Sequence, residues 1–307
     1  MQTLGFWEGQ RVSLQRIAQE FPAHARCASQ LGLQLEAKFG SAIEGIHSHG
    51  RSLTVEWDSL FDELMAQVQE LLTQQVLSEV DVTTFLGELE SRLNGELPSP
   101  VGETILSFHP KYDRTPALEF TDRLKKEFVS DGSGKSRGLK LAIEFPRSWI
   151  SKEGRRPHIV QVLKSKAGHG DASVLVQVRG VPADVRSEYL THGELELLAG
   201  PGTLAAELPA ALFIDQGTTT VVGKRATWSH YLMTQESAGV KVKMFVWSVH
   251  LFYERQYVNL QFFVGRGAVP GQALVTDREL EAQFDSLEPL FKLILSSFDI
   301  YNRYDAP

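Results

Sequence analysis

The chain has a single cysteine, Cys27, among its 307 residues, so no disulfide can form within it and packing alone must hold its core. That scarcity leans toward a reducing compartment. Long hydrophobic runs are missing as well. Nothing approaches the roughly 20 consecutive apolar residues that a membrane-spanning helix needs. The first residues do not combine a basic start with an apolar stretch, which is what a secretory leader would show. The expectation is therefore a cytoplasmic protein without a membrane span. Basic charge is not in excess: 31 Lys and Arg face 38 Asp and Glu, for a net charge of −7. A general nucleic-acid binder needs a basic surface to displace counterions, so nucleic acid is not expected as a partner. The short signatures of hydrolytic chemistry are absent too: there is no Gly-x-Ser-x-Gly elbow and no His-Glu-x-x-His.

What is present is an ordinary globular composition, 42% hydrophobic and 22% charged. Its character changes near the middle. Residues up to about 95 read as helical. Trp57, Leu60, Phe61, Leu64, Val68, Leu71, Leu72 and Val76 recur at helical spacing and call for one buried face. Asp81 is placed to cap a second helix carrying Phe85, Leu86, Leu89 and Leu93, and Asn94-Gly95 to end it. An earlier helical stretch covers 12–46, with Pro22 starting or kinking a helix, and His47-Ser48-His49-Gly50 follows as a loop.

Residues 96–138 are transitional. Pro98, Pro100, Pro110 and Pro116 punctuate them; 104–108 reads as a short strand and 121–129 as a helical turn or two. The run from Ser130 to Gly138 is small, polar linker chemistry. It contains Gly134-Lys135-Ser136, but a phosphate loop requires glycine where Val129 stands and a helix where 139 onward reads as strand. The expected organisation is a helical domain at 1–115, a linker at 116–138 and an α+β domain at 139–307.

After Gly138 the period becomes two. Leu139, Leu141 and Ile143 alternate with more polar neighbours, and 158–163, 173–178 and 218–222 are further strands. The runs 225–234, 240–252 and 257–264 are separated by the short connections Glu236-Ser237-Ala238-Gly239 and Glu254-Arg255-Gln256, so they must form an antiparallel meander. Thr276 and Glu279 have capping-box spacing ahead of an apolar stripe through Leu280, Phe284, Leu287, Phe291, Ile294 and Phe298. Pro289 within that stripe is expected to kink or divide the helix.

Phe145, Pro146 and Trp149 make a Phe-Pro-x-x-Trp pattern at the end of an early strand, with Trp149 as a plug at the sheet's edge. With the meander 225–264 and Ile294-Leu295-Ser296-Ser297-Phe298, it resembles the PsbP-like α/β/α sandwich family, which includes DcrB-like bacterial proteins; the resemblance covers 139–303. It implies an α+β fold in which a mainly antiparallel sheet is layered with helices. It also implies a mostly non-enzymatic role: accessory subunits of photosystems, a nuclear-transport cofactor, or cytoplasmic chaperone-adaptors of type VI secretion that hold apolar segments of effectors.

The meander adds a physical reason. On 240–252 one face carries Phe245, Trp247, Val249 and Leu251, and the other Val246, Ser248, His250 and Phe252, so both faces need cover from helices or a partner. Trp228, Tyr231, Phe245 and Trp247 are the candidate binding residues. No catalytic residue, metal site or cofactor is expected. His47 and His49 lack a completing ligand, Cys27 reads as a packed thiol, and Gly265-Arg266-Gly267 reads as a loop continuing into Ala268-Val269-Pro270-Gly271. The exposed pair Arg155-Arg156 reads as a charged turn. The expected function is a non-catalytic binding or adaptor protein with a protein partner, an apolar segment of a client, in a secretion-associated role. The alternative is a hydrolase or other enzyme with its site between the two domains.

Overall fold

The computed structural model describes residues 1–185, 191–237, 239–268 and 273–304. The chain divides into two compact units, Met1–Arg114 and Thr115–Pro307. Among the described residues no helix is long and apolar enough to cross a membrane.

The first unit is helical. Helices α1 (Gln2–Glu20) and α2 (Ala25–Leu53) pack against each other, with α3 (Trp57–Gln74), α4 (Glu79–Leu93), α5 (Val101–Ser107) and α6 (Pro110–Arg114) completing the set described. Leu4, Trp7, Ile17, Leu35, Leu89 and Ile105 lie in its core. Helix α2 runs through His47-Ser48-His49-Gly50, which is therefore not a loop. The reason is Trp57, whose ring packs so closely on Gly50 that a Cβ there would sit 2.2 Å from it. Glycine here serves close packing of a helix rather than its end. Asp81 is not the cap of α4. Ser78 is, accepting from the Asp81 amide while the Asp81 carboxylate reaches back to the Ser78 amide in a capping box. The stretch 104–108 is not a strand: 104–107 belongs to α5 and Phe108 is its C-cap, with Ile105 and Leu106 buried. The apolar stripe of α3 is only half covered: Trp57, Phe61 and Leu64 pack against the core, whereas Leu60 and Leu71 are exposed.

The second unit opens with α7 (Ala117–Thr121) and strand β1 (Lys125–Val129), so most of 121–129 is strand and not the expected helical turn or two, its Glu127 and Phe128 pairing with β2. β1 pairs antiparallel with β2 (Leu141–Pro146), which also pairs with the short β10 (Asp299–Ile300). A larger antiparallel sheet, seven-stranded among the described residues, runs β3-β4-β5-β9-β8-β7-β6. Its strands are β3 (Ile150–Glu153), β4 (Ile159–Lys164), β5 (Ala172–Gly180), β6 (Leu212–Val221), β7 (Lys224–Ser237), β8 (Val240–Tyr253) and β9 (Gln256–Ala268). The expected meander is β7-β8-β9. Two helices that the sequence reading did not anticipate, α8 (His192–Ala199) and α9 (Pro201–Glu207), precede β6, and α10 (Asp277–Ser297) follows β9. The fold is thus a helical region followed by mainly antiparallel sheet layered with helices.

Helix α10 begins with the anticipated Thr276/Glu279 capping box and continues unbroken through Pro289. Pro289 is on the exposed side of the helix, while Leu287, Leu290 and Phe291 anchor it on either side. The core of this unit lies under α10. Phe291 is fully buried, with ring centroids 5.4 Å from Phe262, 5.6 Å from Phe284 and 6.5 Å from Trp149. Trp149 is therefore a core residue beneath α10 rather than a plug at the sheet's edge. Pro146 ends β2, and its carbonyl accepts from the Trp149 amide in the turn that swings the indole inward.

Candidate functional site

Strand register decides what each side chain of the meander faces. Residues directly opposite on antiparallel neighbours share a face. Trp228 lies opposite Val249, and Leu232 opposite Phe245. This face, with Trp247 and Leu251, meets α10: Phe245 and Phe284 are 4.5 Å apart and tilted. Tyr231 lies opposite Val246 and Ser229 opposite Ser248, on the other face.

That second face is apolar only in part. A polar row crosses the sheet: Gln177 on β5 faces Asn259 on β9, which faces His250 on β8, which faces Thr227 on β7. A parallel row joins Gln261, Ser248 and Ser229. The side chains bind one another. Gln177 Nε2 donates to Asn259 Oδ1 at 3.2 Å, and Asn259 Nδ2 donates to Ser248 Oγ at 2.8 Å and to the Val249 carbonyl at 3.1 Å. The same Nδ2 lies 3.3 Å from His250 Nδ1, and Tyr257 Oη is 2.5 Å from that nitrogen. Gln261 Nε2 donates to Tyr231 Oη at 3.4 Å.

Helices α8 and α9 lie over these rows, leaving a cavity of about 510 Å³. Its floor includes Ser248, His250, Tyr257 and Asn259; its apolar walls include Leu198, Leu204 and Phe252. The Thr191 hydroxyl caps α8, and Pro201 starts α9 where its absent N–H costs nothing. Arg255 holds the mouth, its Nη2 donating to the carbonyls of Pro182 at 2.6 Å and Val185 at 2.9 Å. Burial keeps the titratable floor neutral. It pushes the His250 imidazole down to about 4, the Tyr231 phenol up to about 12, and the Tyr257 phenol further in the same direction.

A second concavity, about 470 Å³, lies where β6 and β7 meet α10. Trp228, His230 and Trp247 line it, with Thr218, Thr219 and Thr220 of β6 on one side and Glu288, Lys292 and Leu295 of α10 on the other. Gly217 is what lets Trp228 lie flat on the sheet: a Cβ there would meet the indole at 2.6 Å. Trp228 stacks beside His230 at 4.8 Å, and His230 Nδ1 lies 2.8 Å from Asp215 Oδ1. β6 ends the sheet, with no further strand beside it among the described residues, and Leu212 and Ile214 on it are exposed.

Of the four residues singled out from the sequence, the structure brings Trp228 and Trp247 together in this second concavity. Phe245 packs under Phe284, and Tyr231 belongs to the opposite face, in the first cavity. His250, Asn259, Tyr257 and Gln261 were missed. Their signal was Ser248 and His250 recurring at period two on one strand; recognising it as a row required the pairing of four strands.

The remaining motifs have local roles. Lys135 donates to the Gly154 carbonyl and pairs with Glu153 at 2.8 Å, and the buried Ser136 donates to the Ser133 carbonyl at 2.6 Å. His47 Nδ1 accepts from Trp57 Nε1 at 3.3 Å, burial holding the imidazole below its usual range, while His49 stacks on Phe108 at 5.3 Å. Among the described residues no group of three His, Cys, Asp or Glu is arranged to hold a metal. Cys27 is half-buried against the helical core. Arg155 and Arg156 are exposed. Gly265-Arg266-Gly267 is not a loop: it lies within β9, where Gly265 admits the Met244 side chain at 2.5 Å from where a Cβ would be. The continuation at Val269-Pro270-Gly271, like Ala238 of the β7–β8 turn, lies outside the described residues.

No protein-family model and no curated protein matches the chain. Solved structures of PsbP-like fold are similar to its C-terminal part. PsbP from Synechocystis sp. PCC 6803 is 15% identical with a TM-score of 0.36, covering 58% of this chain and 92% of its own. LpqN of Mycobacterium tuberculosis, involved in cell envelope biogenesis, is 17% identical with a TM-score of 0.36, covering 59% and 93%. The Ran-binding protein Mog1p of Saccharomyces cerevisiae is 11% identical with a TM-score of 0.33, covering 57% and 95%. The similarity is one of fold.

Proposed function

We propose that this chain is a non-catalytic binding protein acting through protein contacts. An extended segment of a partner pairs along the outer edge of β6 and sets an apolar side chain against Trp228 and Trp247. The observation that carries this reading is the coincidence of a ten-residue edge strand with an indole-lined concavity directly beside it. Edge strands offer unpaired N–H and C=O groups to an incoming strand, and the adjacent hollow supplies side-chain specificity. Tryptophan is the residue type most enriched where binding energy concentrates. The finer form of the role, a secretion-associated chaperone-adaptor holding an apolar segment of a client, rests on the Phe-Pro-x-x-Trp resemblance and fits an apolar side chain in this hollow.

The test is quantitative affinity capture from native cells with the wild-type chain and two variants. Leu212→Lys charges the exposed edge, and Trp228→Ala empties the hollow. A partner held by wild type and reduced at least about tenfold with both variants is the expected result, since an anchor side chain is worth upward of ~1.4 kcal/mol. No reproducible partner, or one retained equally by both variants, counts against the reading.

A further inference from the structure

The roofed cavity on the opposite face is a separate matter, resting on none of the observations used for β6. Its hydrogen-bond accounting leaves one donor unfilled. The Val249 carbonyl can only accept, so the Asn259 amide nitrogen must be the atom that faces it at 3.1 Å, with Asn259 Oδ1 turned to the Gln177 donor. Ser248 Oγ and that carbonyl take both protons of this nitrogen, so Tyr257 sets the tautomer of His250: among the described residues the partner of the buried Tyr257 hydroxyl is His250 Nδ1, and a donor role for Nδ1 would strand the phenolic proton, so Nδ1 carries the lone pair and accepts from Tyr257. A neutral imidazole whose Nδ1 accepts bears its proton on Nε2. His250 Nε2 is buried and has no hydrogen-bond partner among the described residues, and His250 lines the cavity. An orphaned buried donor forfeits the hydrogen bond it made with water when unfolded, and an acceptor brought from outside would restore it.

The surroundings fix what kind of acceptor. The floor offers hydroxyls, amides and an imidazole, all neutral. Among the described residues of the lining, Arg179 faces Glu194 and Glu207, and Arg255 at the mouth is taken up by the carbonyls of Pro182 and Val185. An anionic ligand finds no net compensation there. The walls are leucines and Phe252, and the volume, about 510 Å³, lies within the range of small-molecule sites. We propose that this cavity binds a neutral, largely apolar small molecule through one carbonyl or similar oxygen that accepts a hydrogen bond from His250 Nε2.

The probes are three naphthalenes of nearly equal shape: 2-acetylnaphthalene (neutral, with an acceptor), 2-ethylnaphthalene (neutral, without one) and 2-naphthoate (anionic acceptor). Binding to the full chain is followed by NMR titration. Long-range proton–nitrogen correlation reads the His250 tautomer. The expected result is an Nε2–H tautomer whose Nε2 resonance moves with the ketone, and a preference for the ketone over both other probes of about tenfold. In His250→Phe the preference over 2-ethylnaphthalene falls to within about threefold, while Leu204→Trp, which fills the cavity, weakens all binding. An Nδ1–H tautomer, equal binding of ketone and hydrocarbon, preference for the anion, or no binding of any probe overturns the proposal. The tautomer and the ranking of probes are read on the wild-type chain, so both hold even if His250→Phe fails to fold.

Discussion

At the scale of single residues, two buried titratable groups pull stability in opposite directions with pH. His250 has its proton affinity lowered from 6.5 to about 4 by burial. Between those values the unfolded chain takes up a proton that the folded chain refuses, so this group's contribution is lost as pH falls through that window. Glu119 behaves conversely. Burial raises its carboxyl from 4.5 to about 7, against hydrogen bonds from the Ser148 amide at 2.6 Å and hydroxyl at 2.7 Å, which favour the charged form. The folded chain holds that proton more tightly than the unfolded one, so its contribution is present at low pH and lost as pH rises toward about 7. The two therefore offset each other. Glu119→Gln is expected to leave the His250 trend exposed, with urea midpoints climbing more steeply from about pH 5 to 6.5 than in wild type. An unchanged slope would show that Glu119 ionises normally. Gly217 offers a second residue-scale prediction. Gly217→Ala places a methyl where the Trp228 ring lies, 2.6 Å away. A loss of about 1–3 kcal/mol and a red-shifted tryptophan emission are expected; an unaltered spectrum would mean that the indole does not rest there.

At the scale of elements, α10 holds the sheet's core through Phe284, Phe291 and Ile294. Phe291→Ala should cost about 3–5 kcal/mol in denaturant unfolding. A loss below about 1 kcal/mol would remove α10 from its central place. This helix was legible in the sequence because a capping box, a 3.6-residue stripe and burial all coincide there. The meander was equally legible, since alternation plus short connections leaves only antiparallel neighbours. The segment 104–108 was misread because Ile105, Leu106 and Phe108 are too few to separate period two from period four, and tertiary burial chose the helix. Helices α8 and α9 escaped notice because each is under nine residues, with Gly200 between them and Gly202 inside α9. The candidate site was half legible. Trp228 and Trp247 stand out as aromatics, but Tyr231 and Trp228 were pooled although register sets them on opposite faces. The rows through His250 exist only once four strands are aligned.

At the scale of the whole molecule, the two units have separate cores: Leu89 and Ile105 belong to one, Phe262 and Phe291 to the other. Calorimetry of the full chain is expected to show two transitions, with Leu89→Ala lowering one midpoint and Phe291→Ala the other. A single transition shifted by both substitutions would show that the units unfold together.

The polar rows on the roofed face also bear on how the strands find their places. A slip of one position between β8 and β9 would turn His250 or Asn259 toward Phe284 and Phe291, burying imidazole and carboxamide in grease, and would lift Leu251 or Leu260 onto the hydrophilic side. Misaligned hairpins are thus penalised twice over. The same side chains that furnish a ligand pocket act during folding as a proofreading device for alignment.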